Sequence, residues 1–238
     1  MYAPASGLLT MLGTAVPSAM GLVFAYAFGG KPELQRLVRS ALRVKASGIG
    51  WLYAALLFPA ILLCACVVFA ATGGVVPPAQ FPLWFLPMAF VYLFACMGPL
   101  GEEFGWRGFL LKRLLPGWGL VKSGLVLGLV WAAWHLPLFW LPGTVQQELA
   151  KMGHLPAISG YFLYTLCISA LMSVLYVGTE GNLLLCMVFH TVCNLSLGVA
   201  PVILVQSGAA ILLGILIVVT AIVWTVSGRW RKGQSNGE

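Results

Sequence analysis

The sequence contains no aspartate and few charges of either sign. Only 8% of its 238 residues are charged, whereas 61% are hydrophobic. A soluble domain carries about 25% charged residues, so this composition excludes an ordinary soluble globular protein. Several uncharged apolar runs reach the roughly 20 residues that a helix needs to cross a bilayer. We therefore expect an integral membrane protein.

The apolar runs predict an all-α polytopic helical bundle with about seven transmembrane helices, within a range of about six to eight. Helices are expected because lipid cannot satisfy the polar groups of an open backbone. An amphipathic segment, Pro32–Lys45, predicts a cytoplasmic interfacial helix, with a solvated basic loop as the alternative. Residues 1–228 form one transmembrane domain in this interpretation, and 229–238 form a short, basic, disordered cytoplasmic tail. The predicted crossings are Gly7–Gly29, Ile49–Ala71, Pro82–Leu100, Leu120–Leu141, Ile158–Val177, Leu183–Val199 and Pro201–Val226.

The basic residues are distributed unevenly among the loops. With seven crossings, every one of the 13 lysines and arginines except Lys151 falls on the same face. The positive-inside rule then predicts an outside N-terminus and a cytoplasmic C-terminus, in what we expect to be a bacterial plasma membrane. The net charge of +7 could suggest nucleic acid. Because these residues lie in short loops between spans, topology and anionic membrane lipid explain them better, and we expect no nucleic acid partner.

Motifs for disulfide pairing, soluble zinc proteases and covalent nucleophiles are also missing. The six cysteines lie in apolar runs without a CxxC pair, which indicates reduced packing residues. The HExxH pattern of soluble zinc proteases is absent. Ser196 and Cys193 lie near a polar motif but lack a clear base with an orienting partner, which disfavours a covalent nucleophile.

Polar residues interrupt the apolar runs in three clusters, EEFGWR, WAAWH and HTVCN. Glu103 and Arg107 are four residues apart, so their side chains can pair on one helix face. His190 and Asn194 have the same spacing and can point together into one cavity. Glu102 lies about 100° around the helix from Glu103, so the two carboxylates need not share a partner.

Helical rise places the three clusters at similar depth, about 12 to 20 Å from the predicted cytoplasmic interface, so one shared cavity is expected. Gly98 and Pro99 predict a kink just before the paired glutamates. Arg107 can satisfy only one carboxylate well, which leaves Glu102 as the candidate acid or base that meets His135 and His190. Structural roles stay open for these polar groups, as an ion pair at a helix end or as bridges between helices.

The motifs EExxxR, an aromatic residue followed by xxxH, and HxxxN resemble those of the CPBP family of intramembrane proteases. That family includes the type II prenyl-CAAX proteases and proteins associated with bacteriocin self-immunity. The resemblance covers a core of roughly residues 80–200, with the motifs in order and in separate predicted helices. Trp131 stands where the family usually has Phe, which affects the shape of the cavity more than the chemistry.

The resemblance implies an intramembrane endopeptidase, of the glutamate or metalloprotease type, that forms no covalent acyl-enzyme. An activated water would attack the scissile carbonyl of a peptide or lipidated-protein substrate, and preorganised donors would stabilise the oxyanion. A cofactor is either absent or a divalent metal such as zinc, held by Glu102, His135 and His190 if one is used. The implied residues are Glu102 and His135 for the water, His190 and Asn194 for the oxyanion, and Glu103 and Arg107 in support.

Two other classes of function stay open at this point. A non-catalytic membrane scaffold or a peptide-immunity protein would bind a membrane partner and use the polar cavity only structurally. A small transporter or proton pathway would use the same buried Glu and His side chains as a relay. The sequence has no obvious inverted repeat or paired broken helices that would favour a transporter.

Overall fold

The computed structural model describes residues 4–235, and every regular element in that range is helical. The predicted all-α class is therefore confirmed. A π-helix, Phe104–Leu111, joins the fourth helix to the fifth, and short 3₁₀ turns occur in several of the connections. The α-helices are α1 Pro4–Ala41, α2 Gly48–Ala71, α3 Leu86–Cys96, α4 Pro99–Glu103, α5 Lys112–Trp134, α6 Val145–Ala150, α7 His154–Gly178, α8 Leu183–Val199 and α9 Gln206–Ser235.

Length and composition fit a polytopic membrane bundle. Large apolar side chains such as Val23, Leu63 and Ile222 are exposed on its outside, as expected for surface that faces lipid. Within residues 4–235, α8 is a shorter apolar helix, and five stretches are long and apolar enough to span a membrane. These five are Thr10–Ala41, Gly48–Ala71, Leu83–Trp134, His154–Gly178 and Gln206–Ser227.

Two of the predicted crossings, Pro82–Leu100 and Leu120–Leu141, fall in one helical run of 52 residues. The run is broken by positive φ angles at Gly98 (φ 116°) and Gly119 (φ 68°). The second crossing was predicted too long, because α5 ends at Trp134 and a 3₁₀ turn follows. Pro137 lies in that turn, and a proline has no N–H with which to continue an α-helix.

The helical prediction for Pro32–Lys45 is confirmed as far as Ala41. Gly30 has non-helical angles (φ 64°, ψ −166°) and separates this segment from the apolar part of α1. The prediction of a disordered tail is wrong for its first part, because α9 continues to Ser235.

Helix α1 packs closely against α4 and the π-helix, which carry the paired glutamates. A Cβ on Gly105 would lie 2.2 Å from the Pro17 carbonyl oxygen, and one on Gly21 would lie 2.7 Å from the Gly105 Cα. Only glycine permits such an approach of two backbones, which is how small residues bring membrane helices together. Gly101 approaches the Thr14 carbonyl in the same way.

The other helices surround this pair with a dense apolar core. Fully buried side chains from three helices fill it, including Phe58 of α2, Met172 of α7 and Phe189 of α8. Ser169 of α7 donates a hydrogen bond to the Gly124 carbonyl of α5 over 2.9 Å. The sites of the three sequence motifs are thereby held at the centre of one bundle.

Candidate functional site

The chain breaks and restarts its helix immediately before the paired glutamates. Helix α3 ends at Cys96, Gly98 adopts φ 116° and ψ −58°, and Pro99 begins α4. The predicted kink is confirmed. A Cβ on Gly98 would lie 2.8 Å from Glu102 Oε1 and 3.8 Å from His190 Cε1. The space over this glycine is therefore bordered by a carboxylate and by an imidazole from a different helix.

A π-helix follows directly after Glu103. Such wide turns are rare and occur frequently at functional sites. The Ser18 hydroxyl donates to the Leu100 carbonyl (2.9 Å) and accepts from the Phe104 N–H (3.2 Å). An uninterrupted α-helix would bond these two backbone groups directly, so a side chain from α1 is inserted into the ladder. The widened turn sets the rotation of the residues that follow it.

Glu102 is buried and is held by neutral donors only. Its Oε2 accepts hydrogen bonds from the indole N–H of Trp131 (2.6 Å) and from that of Trp106 (3.2 Å). The residue is 3% exposed, and no ion pair to it occurs among the residues the structure describes. The second oxygen, Oε1, faces the space over Gly98. A buried carboxylate without a cationic partner is costly, which marks it as a functional candidate.

Glu103 is the centre of a separate buried cluster. Arg107 donates from Nη1 to both carboxylate oxygens, over 2.9 and 3.1 Å, and both side chains are completely buried. The predicted pairing of these two residues is confirmed. The Arg107 guanidinium also lies 4.3 Å from the centre of the Trp131 ring, a cation–π contact. Arg107 is thus neutralised on one edge and covered by an aromatic face.

His190 bonds to Glu103 instead of Glu102, which corrects the expected pairing. Its Nδ1 lies 2.8 Å from Glu103 Oε1. The sequence could not settle this, because the two glutamates differ by about 100° in direction and the choice depends on how α4 is rotated. A carboxylate fixes the proton on the nitrogen that faces it, so Nε2 is the nitrogen of His190 left for a ligand.

His135 lies at the C-terminal end of α5, where the helix gives way to the 3₁₀ turn. Its Nδ1 is 2.7 Å from the Trp131 carbonyl oxygen. A carbonyl can only accept, so Nδ1 carries the proton and neutral His135 presents an unprotonated Nε2. The ring packs against Trp131 and Tyr161, with centroids 5.7 and 5.4 Å apart.

Asn194 lies one turn after His190 on α8. Asn182 caps the start of this helix by accepting from the Leu185 N–H over 3.2 Å. The Asn194 side chain is half-buried, and it makes no hydrogen bond with any of the residues described. Residues four apart share a helix face, so this amide is available beside His190.

Trp131 joins the three clusters. Its ring is 5.1 Å from His190 and 5.7 Å from His135 between centroids, and its N–H bonds to Glu102. The motifs EEFGWR, WAAWH and HTVCN therefore meet at one place, as predicted from their similar depth. Sequence reasoning missed the donor role of both tryptophans. The spacing of four between Glu102 and Trp106 was a signal that could have revealed one of them.

The arrangement does not present a ready metal site. Within the described range, no group of three or more His, Cys, Asp or Glu side chains is placed so that it could hold a metal ion. Glu102, His135 and His190, named above as metal ligands if a metal is used, are therefore not assembled as a ligand set in the described part of the chain.

Comparison with known proteins supports the resemblance that the motifs indicated. Residues 82–196 match the family described as type II CAAX prenyl endopeptidase, Rce1-like. A curated relative, CAAX prenyl protease 2 of Methanococcus maripaludis, is 26% identical over 147 residues, which cover 59% of this chain. The match covers 53% of the relative, so the chain spans about half the length of that protein. The matched region contains all three motifs.

Proposed function

We propose that this chain, whose residues 82–196 match the Rce1-like type II CAAX prenyl endopeptidase family, is a CPBP intramembrane endopeptidase of the CAAX prenyl protease type. The observation that carries the proposal is the state of Glu102: a buried carboxylate, held by two indole donors and without a cationic partner. A buried glutamate with a purely structural role would be expected to form an ion pair, as Glu103 does with Arg107. A general base needs a free lone pair that faces the substrate, and Oε1 of Glu102 accepts no hydrogen bond from the described residues.

In the proposed reaction, Glu102 and His135 hold a water molecule and Glu102 removes its proton. The water oxygen bonds to the scissile carbonyl carbon. The π electron pair of the C=O bond then moves to the carbonyl oxygen, which becomes the oxyanion. When this intermediate collapses, the C–N bond breaks and the proton passes to the leaving amine. Proton transfer by a positioned side chain contributes typically 10²–10⁴-fold to the rate.

Donors from α8 would stabilise the developing oxyanion. The Asn194 amide carries N–H groups without a partner among the described residues. His190 can donate from Nε2 only when its ring is protonated, because Nδ1 already faces Glu103. Glu103 contacts Nδ1 of this ring and would orient it, while Arg107 holds Glu103 in place. Loss of one oxyanion donor typically costs about 10²–10³ in kcat.

The proposed substrate class is supported by the curated relative and by the setting of the site. A prenylated C-terminal peptide is the substrate implied by the name of the curated relative. A site at the centre of an apolar bundle suits a peptide that is anchored in lipid by a hydrophobic group. We further propose that the chain acts in a plasma membrane of bacterial type, with its N-terminus outside and its C-terminus in the cytoplasm.

The test is cleavage of a quenched fluorescent CAAX-type peptide, farnesylated or bare, by the purified protein in nanodiscs. We expect the native chain to cleave the farnesylated peptide and Glu102→Gln to lose at least ~10³-fold in kcat. Glu148→Gln is the matched control, since Glu148 pairs with Lys151 in a connection away from the site. A parallel series with chelator measures whether the reaction needs a metal ion.

Full activity of Glu102→Gln would overturn the proposal. Absence of cleavage by a folded native chain, together with normal partner binding by Glu102→Gln, would favour a scaffold or a peptide-immunity protein instead. Proton-coupled flux in liposomes without peptide cleavage would favour a transporter.

A further inference from the structure

Two tryptophans on different helical segments converge on a single oxygen of Glu102. Trp106 reaches Oε2 from the next turn of the same helical run, and Trp131 reaches it from α5. Both rings are buried, at 9% and 4% exposure. An indole N–H donates but cannot accept, so neither ring competes for a proton. The other oxygen, Oε1, is left facing the space over Gly98.

This geometry determines which oxygen of Glu102 has lone pairs free to accept a proton. A carboxylate has about four lone-pair sites, and two donors on Oε2 prevent the group from rotating freely about its last bond. The N–H dipoles also stabilise the negative charge without neutralising it. A lysine or arginine in their place would bind the carboxylate as an ion pair and weaken it as a base.

The ring of Trp131 packs against three polar side chains of the site. Arg107 covers one face of the ring at 4.3 Å, and His190 and His135 pack edge-on against it. The same residue accepts from His135 Nδ1 through its main-chain carbonyl. One residue therefore contacts both Glu102 and His135, by its side chain and its backbone respectively.

We propose that Trp131, assisted by Trp106, is a positioning residue: its indole N–H holds Glu102 with Oε1 directed at the reacting water. The catalytic part of this inference rests on the proposed function. A phenylalanine at position 131 would keep the aromatic packing and lose the donor. The side chain therefore does more than shape the cavity wall, which is the only role that the sequence suggested for it.

The first test separates the donor from the ring. Trp131→Phe should lower kcat by about 10- to 100-fold with KM changed less than about threefold, because only the orientation of the base is lost. Trp106→Phe should have a smaller effect, since its hydrogen bond is longer. Benzothienylalanine at position 131 keeps the bicyclic shape without the N–H, and it should reproduce the loss seen with phenylalanine.

The matched control is Trp224→Phe, which removes an indole that donates to the Ala170 carbonyl between α9 and α7. Its kcat should stay within about twofold of the native value, because it has no contact with the site. If benzothienylalanine restores native kcat, or if Trp131→Phe leaves kcat unchanged, the inference is wrong while the proposed function stands.

A second test does not depend on activity. The nine tryptophans can be labelled with ¹⁵N and their indole N–H signals recorded by NMR, and Trp131→Phe and Trp106→Phe each identify a signal by its loss. Glu102→Gln should move these two signals upfield, because a neutral amide is a weaker acceptor than a carboxylate. The Trp224 signal should stay in place. Unchanged Trp131 and Trp106 signals would overturn the inference even if the chain proves to have no peptidase activity.

Discussion

Glu33 and Glu103 form two carboxylate centres that look alike in chemistry and differ in burial. Each follows a helix restart built from a positive-φ glycine and a proline: Gly30 and Pro32 before the first, and Gly98 and Pro99 before the second. Glu33 contacts Lys112 at 2.7 Å and Arg36 at 2.8 Å. Glu103 contacts Arg107 at 2.9 Å and His190 at 2.8 Å.

Equal distances do not give equal energies here. The Glu33 partners are 68% and 47% exposed, so water and salt screen them and each pair contributes about 0–1 kcal/mol. The side chains of Glu103 and Arg107 are both 0% exposed. Removing one member of such a pair leaves an uncompensated buried charge. The comparison therefore predicts that matched substitutions at the two centres have effects of different size.

The largest effect on stability is expected for Arg107→Met, which keeps the volume of the side chain and removes its charge. The free energy of unfolding should fall by about 3–5 kcal/mol, because Glu103 would stay buried with His190 alone. Arg36→Met, the surface counterpart, should cost under about 1 kcal/mol. The measurement is SDS-titration unfolding in mixed micelles.

A double variant sharpens this prediction. Glu103→Gln combined with Arg107→Met removes both charges, and its cost should be smaller than the sum of the two single costs. Equal costs for Arg107→Met and Arg36→Met would contradict the view that burial separates the two centres.

Part of this comparison could be predicted from the sequence. The spacing of four between Glu103 and Arg107 was sufficient to predict their pairing, and Gly98 with Pro99 was sufficient to predict the break before them. These features depend only on local helix geometry. The apolar runs likewise were sufficient to predict the all-α bundle.

The contacts between helices could not be predicted in this way. Whether His190 reaches Glu102 or Glu103 depends on the rotation of α4, which the break at Gly98 and the Ser18 hydroxyl bonded to the Leu100 carbonyl help to set. No periodicity in the sequence indicates a π turn. The sequence indicates only a packing role for Trp131, since the partner of its indole N–H lies on another helical segment.

The next largest loss of stability is expected for substitutions of Gly98 and Gly30, the glycines at the two helix breaks. Neither backbone conformation suits a residue with a side chain, so Gly98→Ala and Gly30→Ala should each cost about 1–3 kcal/mol of stability. Gly98→Ala should be the more severe, since its Cβ would lie 2.8 Å from Glu102 Oε1. At Gly30 the nearest atom is Pro32 Cδ, at an ordinary 3.6 Å.

Peptide cleavage distinguishes the two glycines further. Gly98→Ala should lower kcat because the new methyl group displaces the Glu102 carboxylate, whereas Gly30→Ala should leave kcat near the native value. Both variants are compared at a temperature at which each is fully folded by near-UV circular dichroism. Equal losses of kcat in the two variants would mean that Gly98 is needed only for its backbone conformation and not to leave room for the Glu102 carboxylate.

The smallest effect is expected for Glu33→Gln, and its value lies in its dependence on salt. The substitution should cost under about 1 kcal/mol at low ionic strength. That cost should shrink as salt rises from about 0.01 to 1 M, because the screening length falls from about 30 to 3 Å. The cost of Arg107→Met should change little over the same range, since counterions do not reach a pair with no exposed surface. SDS-titration unfolding of both variants at several salt concentrations measures this. If the two costs fell in parallel, water and ions would have access to the Glu103–Arg107 pair, and burial would not separate the two centres.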